Sequence, residues 1–309
     1  MANLKEVRIR IASVISTQQI TKAMKMVSAA KLRRAQDAIV QMRPYASKLR
    51  EIMENISSSL DSSTGGAYTA QRPVNKVLIV AVNSNRGLCG GFNANINRTV
   101  ARMIREDYAA QAKEGNVKVL AIGKKATDFF SKNANVYAGN HNEVYLKLNF
   151  ENVSAIAEKV MKEFADGKYD KVEVVYNQFK NAAVQYVITE QMLPLVPPTP
   201  ASAPQPPKGE QSPKGGEHAK GMRADYIFEP NKEDLVMELV PKAIKIQLYK
   251  AVLDSHASEH GARMTAMNKA TDNAGEILKA LRLEYNKRRQ AAITGEILEI
   301  VAGAEALNG

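Results

Sequence analysis

Met264, Met267, Thr271, Ala274, Leu278, Leu281 and Tyr285 recur at alternating steps of three and four. On an α-helix that spacing lines one face with a continuous seam, the a/d pattern of a coiled coil. A similar seam opens the chain at Leu4, Val7, Ile11, Val14 and Gln18, continued by Ile20, Met24 and Val27 as the stripe drifts. A lone helix cannot bury such a stripe, so each seam needs a partner. Seams at opposite ends of 309 residues can pair only if the middle folds to one side. A rod with a globular insert is laid out to reach or to transmit force, not to enclose a substrate.

The charge is uneven. The chain carries a formal +11, and residues 1–58 hold eleven Lys/Arg against four acids. A basic helix calls for an acidic neighbour. Nucleic acid fits poorly, because the stripe has no interleaved aromatics and no docking motif. With Cys89 as the only cysteine, a disulfide framework or a cysteine zinc site within the chain is excluded. The opening residues lack the apolar core of a signal peptide, and no apolar run reaches the roughly 20 residues that cross a bilayer.

Residues 3–58 read as helix, capped by Asn3, with Pro44 expected to bend or interrupt it near Arg43. Residues 57–66 read as a linker. Between them and residue 190 the character changes. Lys76–Val82, Val117–Ile122, Lys171–Tyr176 and Val184–Thr189 read as strands, with helices near 92–113, 123–132 and 151–166. Apolar strands alternating with helices predict a parallel-rich sheet covered on both faces. Residues 194–221 are Pro-, Gly-, Ser- and Lys-rich and read as an extended linker. Helix returns over 230–307, with Pro230 in its first turn and a break at Pro241. Gly261 and Gly275 permit close backbone approach. The tip, Ile293–Leu307, is rich in Ala, Ile and Gly and is expected to sit inside something. The implied division is 1–60, 74–192, 193–229 and 230–309: N-terminal helix, α/β domain, linker and C-terminal helix.

Two motifs carry enzymatic readings. His256-Ala-Ser-Glu259-His260 has the spacing of an inverted zinc peptidase motif. It falls within a long thin helix without a cleft, and it reads as a solvated polar face. Asn83–Asn93 follows the first strand, where nucleotide-binding folds place a phosphate loop. Its glycines at 87, 90 and 91 fit neither phosphate-binding pattern, so it reads as a tight turn or a protein contact. No cofactor and no metal is expected.

Separated segments resemble the gamma subunit of the F-type ATP synthase. They are residues 8–32 (RIRIASV…TQQITKAMKMVSAAKL), 85–93 (NRGLCGGFN), 258–274 (SE…RMTAMNKATDNA) and 289–306 (RQAAITGEILEIVAGAEA). The resemblance implies a fold that is α+β overall. In it the N- and C-terminal helices form a long antiparallel, left-handed two-helix coiled coil, with an inserted Rossmann-like α/β domain. It also implies a non-catalytic rotor shaft inside a ring of alpha and beta subunits, with ATP chemistry on beta. The insert becomes a foot beside the epsilon subunit and the c-ring.

By resemblance, Met24, Lys25, Arg289, Gln290 and Thr294 meet a catch loop on beta, and Ala302, Gly303 and Ala304 let the tip turn in an apolar collar. Arg86, Gly87, Leu88, Gly90, Gly91 and Phe92 meet the c-ring or epsilon. Val7, Ile11, Val14, Met264, Met267, Ala274, Leu278 and Leu281 form the seam. The implied location is peripheral, on the cytoplasmic face of a bacterial inner membrane, touching the membrane only through the c-ring. Two features depart from the family: the long linker, whose role as spacer, brake or contact stays open, and the missing chloroplast-type dithiol. The competing reading is a stand-alone coiled-coil scaffold with a basic face.

Overall fold

The computed structural model describes residues 4–57, 68–195 and 232–308. Asn3, Pro230, most of the 57–66 linker and all of 196–231 lie outside the described residues. Two helices dominate: α1 (Leu4–Ser57) and α6 (Lys232–Asn308). At 1.5 Å per residue they run for about 80 and 115 Å. They lie against each other with opposite directions, because contacts that descend along α1 ascend along α6. Lys25 donates to Asn268, Thr271 to Thr21 Oγ1 (2.8 Å), and Gln18 approaches Gly275.

Neither proline interrupts its helix, contrary to the break expected at Pro241 and to the interruption offered as one outcome at Pro44. Pro44 lies within α1 and Pro241 within α6. A proline removes one backbone hydrogen bond and crowds the preceding turn. Here burial on both sides keeps the helix continuous. Leu32, Ala35, Ile39 and Leu49 are buried around Pro44, and Val240 and Ile244 around Pro241.

Between the long helices, β1 (Val77–Val82), β2 (Val117–Ile122), β3 (Tyr137–Asn140), β4 (Lys171–Phe179) and β5 (Gln185–Leu193) form one sheet in the order β3-β2-β1-β4-β5. All neighbours are parallel except β4 and β5, an antiparallel hairpin at one edge. The order, reversing at the β1–β4 boundary, is Rossmann-like. On one face pack α2 (Phe92–Arg105), α3 (Ala109–Lys113) and α4 (Lys124–Phe130); on the other lie α5 (Phe150–Ala165) and α6 itself. The long helix is therefore part of the domain core.

Three local details differ from the sequence reading. The 92–113 helix is two helices, because the chain turns at Tyr108, which is buried and accepts from Lys171 Nζ at 3.0 Å. Strand β3 carries no apolar alternation to reveal it. Strand β5, read from sequence as Val184–Thr189, extends through Leu193, four residues past Thr189.

Candidate functional site

The seam is built from both expected and unexpected residues. Val7, Met267, Ala274, Leu278 and Leu281 are buried, and Ile11, Val14 and Met264 are half-buried. Beyond Gln18, however, the α1 seam runs through Thr21, Lys25, Ser28, Leu32 and Ala35, not through Ile20 and Val27, which stand exposed. The strict three–four rhythm from Leu4 is kept, with polar side chains in it. Thr21 and Ser28 bury cheaply because their hydroxyls donate to carbonyls of their own helix, Gln18 O (3.0 Å) and Met24 O (2.7 Å).

The same register carries Leu4 opposite about residue 288, so the last 20 or so residues of α6 extend past α1 by about 30 Å. On that projection Ile293, Ile297, Leu298, Ile300 and Val301 are exposed, an apolar surface on a lone helix. Arg289, Gln290 and Thr294 are exposed there too, as are Ala302, Gly303 and Ala304. Met24 and Lys25 lie elsewhere. Lys25 sits opposite Asn268, its amine committed to the side-chain oxygen Oδ1 of Asn268, about 30 Å down the axis from Arg289. The five residues assigned to one catch loop therefore form two separate levels.

Arg86–Phe92 forms a tight turn after β1, at the end of the domain from which the two-helix shaft emerges. Along α6, Gln247 donates to Gln191 O near the end of β5, opposite the start of β4, Ser255 to Val82 O, Ser258 to Asn177 O, and Arg263 to the turn itself. This places the turn at the strand C-termini, beside the base of the shaft. Leu88 has φ 62°, in the left-handed region, and its side chain is 64% exposed. Phe92 and Cys89 point inward, and burial pushes the Cys89 thiol upward. Ser84, Cys89 and Asn93 bond one another beneath the turn. Gly123 closes against it so tightly that a Cβ would lie 2.2 Å from Asn83 O.

The HxxEH stretch is not a solvated face. Glu259 and His260 are buried, and so is Arg263 one turn further on. Arg263 pairs with Glu259 at 2.7 Å and approaches His260 Nδ1 at 3.3 Å. An arginine can only donate, so His260 Nδ1 accepts and its proton sits on Nε2. That proton is directed at His256 Nε2, 3.2 Å away, and His256 stacks on Tyr145. Burial holds both rings neutral. His256 is lowered to about 4, with Lys31 and Arg263 adding to the effect. His260 is lowered to about 3, with His256, Arg263 and Lys31 adding. Burial pushes the Glu259 carboxyl up, against the pull of Arg263. Among the described residues no group of three or more His, Cys, Asp or Glu could hold a metal. The donors of a zinc motif are used here as an internal polar joint.

A row of α6 side chains thus bonds the carbonyls at the strand ends: Ser255, Ser258, Arg263 and Thr265, the last to Ala182 O at 3.0 Å. Gly261 lets the β4–β5 hairpin approach, since a Cβ there would lie 3.2 Å from Ala182 Cα. Sequence reasoning missed this row. Its signal was a second helical stripe of small polar residues at 255, 258 and 265, on a face turned away from the seam.

A two-helix shaft with a projecting tip, welded to an α/β domain at its base, defines the class: a central-stalk architecture. The description "ATP synthase" fits residues 3–307 of this chain. The chain is 57% identical to the ATP synthase gamma chain of Flavobacterium johnsoniae over 309 residues, the whole of both chains. It is 45% identical to that of Chlorobaculum tepidum over 307 residues, 99% of each. The fold is similar to a chain in the Euglena gracilis mitochondrial ATP synthase, with TM-score 0.63 at 20% identity, covering 98% of this chain and 94% of that one. The chain belongs to the ATP synthase gamma-chain family. Among the described residues no helix is long and apolar enough to cross a membrane.

Proposed function

We propose that this chain is the central rotor shaft of a proton-transporting ATP synthase. It couples rotation of the c-ring to sequential conformational changes in the catalytic beta subunits, in synthesis and, reversed, in hydrolysis. The observation that carries this reading is the bare apolar tip. Its exposed Ile and Leu side chains on a single helix need a surrounding collar, which a ring of alpha and beta subunits supplies. A two-helix rod has no threefold symmetry, so it presents a different face to each of three beta subunits. It thereby biases their nucleotide affinities apart, and occupancy biases shaft angle in return. The chain itself is non-catalytic.

The contacts divide by height. Arg289, Gln290 and Thr294 meet one beta loop high on the shaft, where Arg offers directional donors to carboxylates. Met24 and Lys25 serve a second level lower down. The Arg86–Phe92 turn, beside the shaft base, serves the contact with the c-ring or epsilon. The functional units are residues 1–60 and 230–309 for the shaft, 74–192 for the foot domain and 193–229 for the linker. The complex works at the cytoplasmic face of a bacterial inner membrane, and this chain reaches the membrane only through the c-ring. In the reconstituted complex, Arg289→Ala with Gln290→Ala lowers ATPase turnover while assembly is retained. Unchanged turnover and unchanged coupling would remove the upper contact.

A further inference from the structure

We propose that Arg263 is a positioning residue for rotation: it fastens the shoulder turn 84–91 to α6, so that foot domain and shaft turn through the same angle. This rests on the rotor reading above and adds the place where torque passes between the two bodies.

Three observations converge on it. The Arg263 guanidinium spans the joint, with Nη2 donating to Arg86 O at 3.1 Å and to Gly87 O at 3.3 Å, and Nε to Gly87 O at 3.3 Å. The same group pairs with Glu259, and both side chains are only 8% exposed, so the fork is fixed from behind as well as in front. The carbonyl it holds is also held from inside the domain, by Ser84 Oγ at 2.7 Å. The turn is therefore clasped between domain and shaft.

Elsewhere on this interface apolar contacts made by Ile244, Leu248, Ala251 and Val252 are joined by single neutral hydrogen bonds from Gln247, Ser255, Ser258 and Thr265, each weaker than a charge-assisted fork. Apolar packing resists separation but has no preferred direction, so it resists sliding around the helix axis poorly. Charge-assisted hydrogen bonds from a planar fork are directional and short in reach, so a tangential displacement breaks them. Arg263 lies near the top of the joint, just below Thr265, where α6 leaves the domain and the shaft begins. Slip there would let the shaft turn without the foot.

The test uses the complete membrane-reconstituted complex, measuring ATP hydrolysis and ATP-driven proton uptake together. Arg263→Lys keeps the charge beside Glu259 but cannot reach a carboxylate and two carbonyls at once. Protons pumped per ATP fall by about twofold or more in Arg263→Lys, and hydrogen exchange of the 85–91 amides rises. Val153→Ala in the domain core lowers thermal stability and leaves the proton-to-ATP ratio at the wild-type value. Ser84→Ala removes the inner donor to Arg86 O and lowers the ratio in the same direction. It carries the test should Arg263→Lys fail to assemble. A wild-type ratio in Arg263→Lys, or in Ser84→Ala where that variant stands in, overturns the proposal; so does a fall in Val153→Ala equal to that in the joint variants. If the wild-type complex pumps equally well without this chain, the rotor reading fails instead.

Discussion

The upper and lower halves of α6 solve the same problem by different means. From Val240 to Arg263 the helix is wrapped: α1 covers one side, the sheet and α5 the other, and 251–255 are buried without interruption. From Met267 to about residue 288 it packs along α1 alone, and burial shrinks to Met267, Ala274, Leu278 and Leu281. The lower half behaves as a domain core, where large apolar side chains dominate. The upper half is a strip one side chain wide, where Thr21, Lys25, Ser28, Asn268 and Thr271 stand among the apolar residues. A seam that thin cannot gain much from burial, and polar positions that bond locally cost it little while fixing the register. The projecting tip has no partner among the described residues.

The contrast is most easily broken at the joint. Glu259→Ala strands the Arg263 charge in the interior and is expected to cost about 3–5 kcal/mol, read from the urea midpoint of the chain. A loss below about 1 kcal/mol would mean that water reaches Arg263 and the joint is not dry. Leu248→Ala, in the wrapped half, should cost about 3 kcal/mol or more. Leu281→Ala, in the seam, should cost less, because the two helices can close on the gap. Equal losses would erase the distinction between core and strip.

Acid sharpens it further. His256 and His260 are held neutral when folded, to about 4 and about 3, and take up protons near 6.5 when unfolded. The unfolded chain therefore binds more protons between those limits, and stability falls as pH drops from about 6.5 towards 4. The slope is about 1.4 kcal/mol per pH unit for each ring. Glu259, raised in the folded state, works in the opposite sense near the acid end. Urea midpoints at pH 7.5, 6 and 5 measure this, and His256→Gln with His260→Gln should flatten the profile. The smallest effect belongs to the seam. Ser28→Ala removes only a hydroxyl bonded to its own helix, and should change stability by no more than about 0.5 kcal/mol.

These differences explain what the sequence made legible. Met267, Ala274, Leu278 and Leu281 announced a seam because apolar residues mark three–four spacing directly. β1, β2 and β4 stood out as unbroken apolar runs, since a strand covered on both faces has no polar side. Thr21 and Ser28 were passed over for Ile20 and Val27 because hydropathy cannot register a hydroxyl satisfied by its own helix. Pro44 and Pro241 read as breaks because propensity is local, whereas the packing that keeps the helices continuous is tertiary. The joint was hidden for a related reason: Glu259, His260 and Arg263 look like a solvated face until the turn at 86–87 is brought against Arg263 from 176 and 177 residues away. That Met24 and Arg289 lie on different levels needed the register between the helices, which no single helix contains.

The central claim is that both ends of the chain form one rotating body. A single pair of substitutions addresses it: Thr21→Cys with Thr271→Cys, at positions whose hydroxyls lie 2.8 Å apart, in a chain whose only native thiol is buried. In the assembled complex the two cysteines should oxidise to a disulfide across the seam, with ATP-driven rotation continuing, because no part of the shaft moves past another. Failure to form the bond, or a bond that halts rotation and is relieved by reduction, would contradict it.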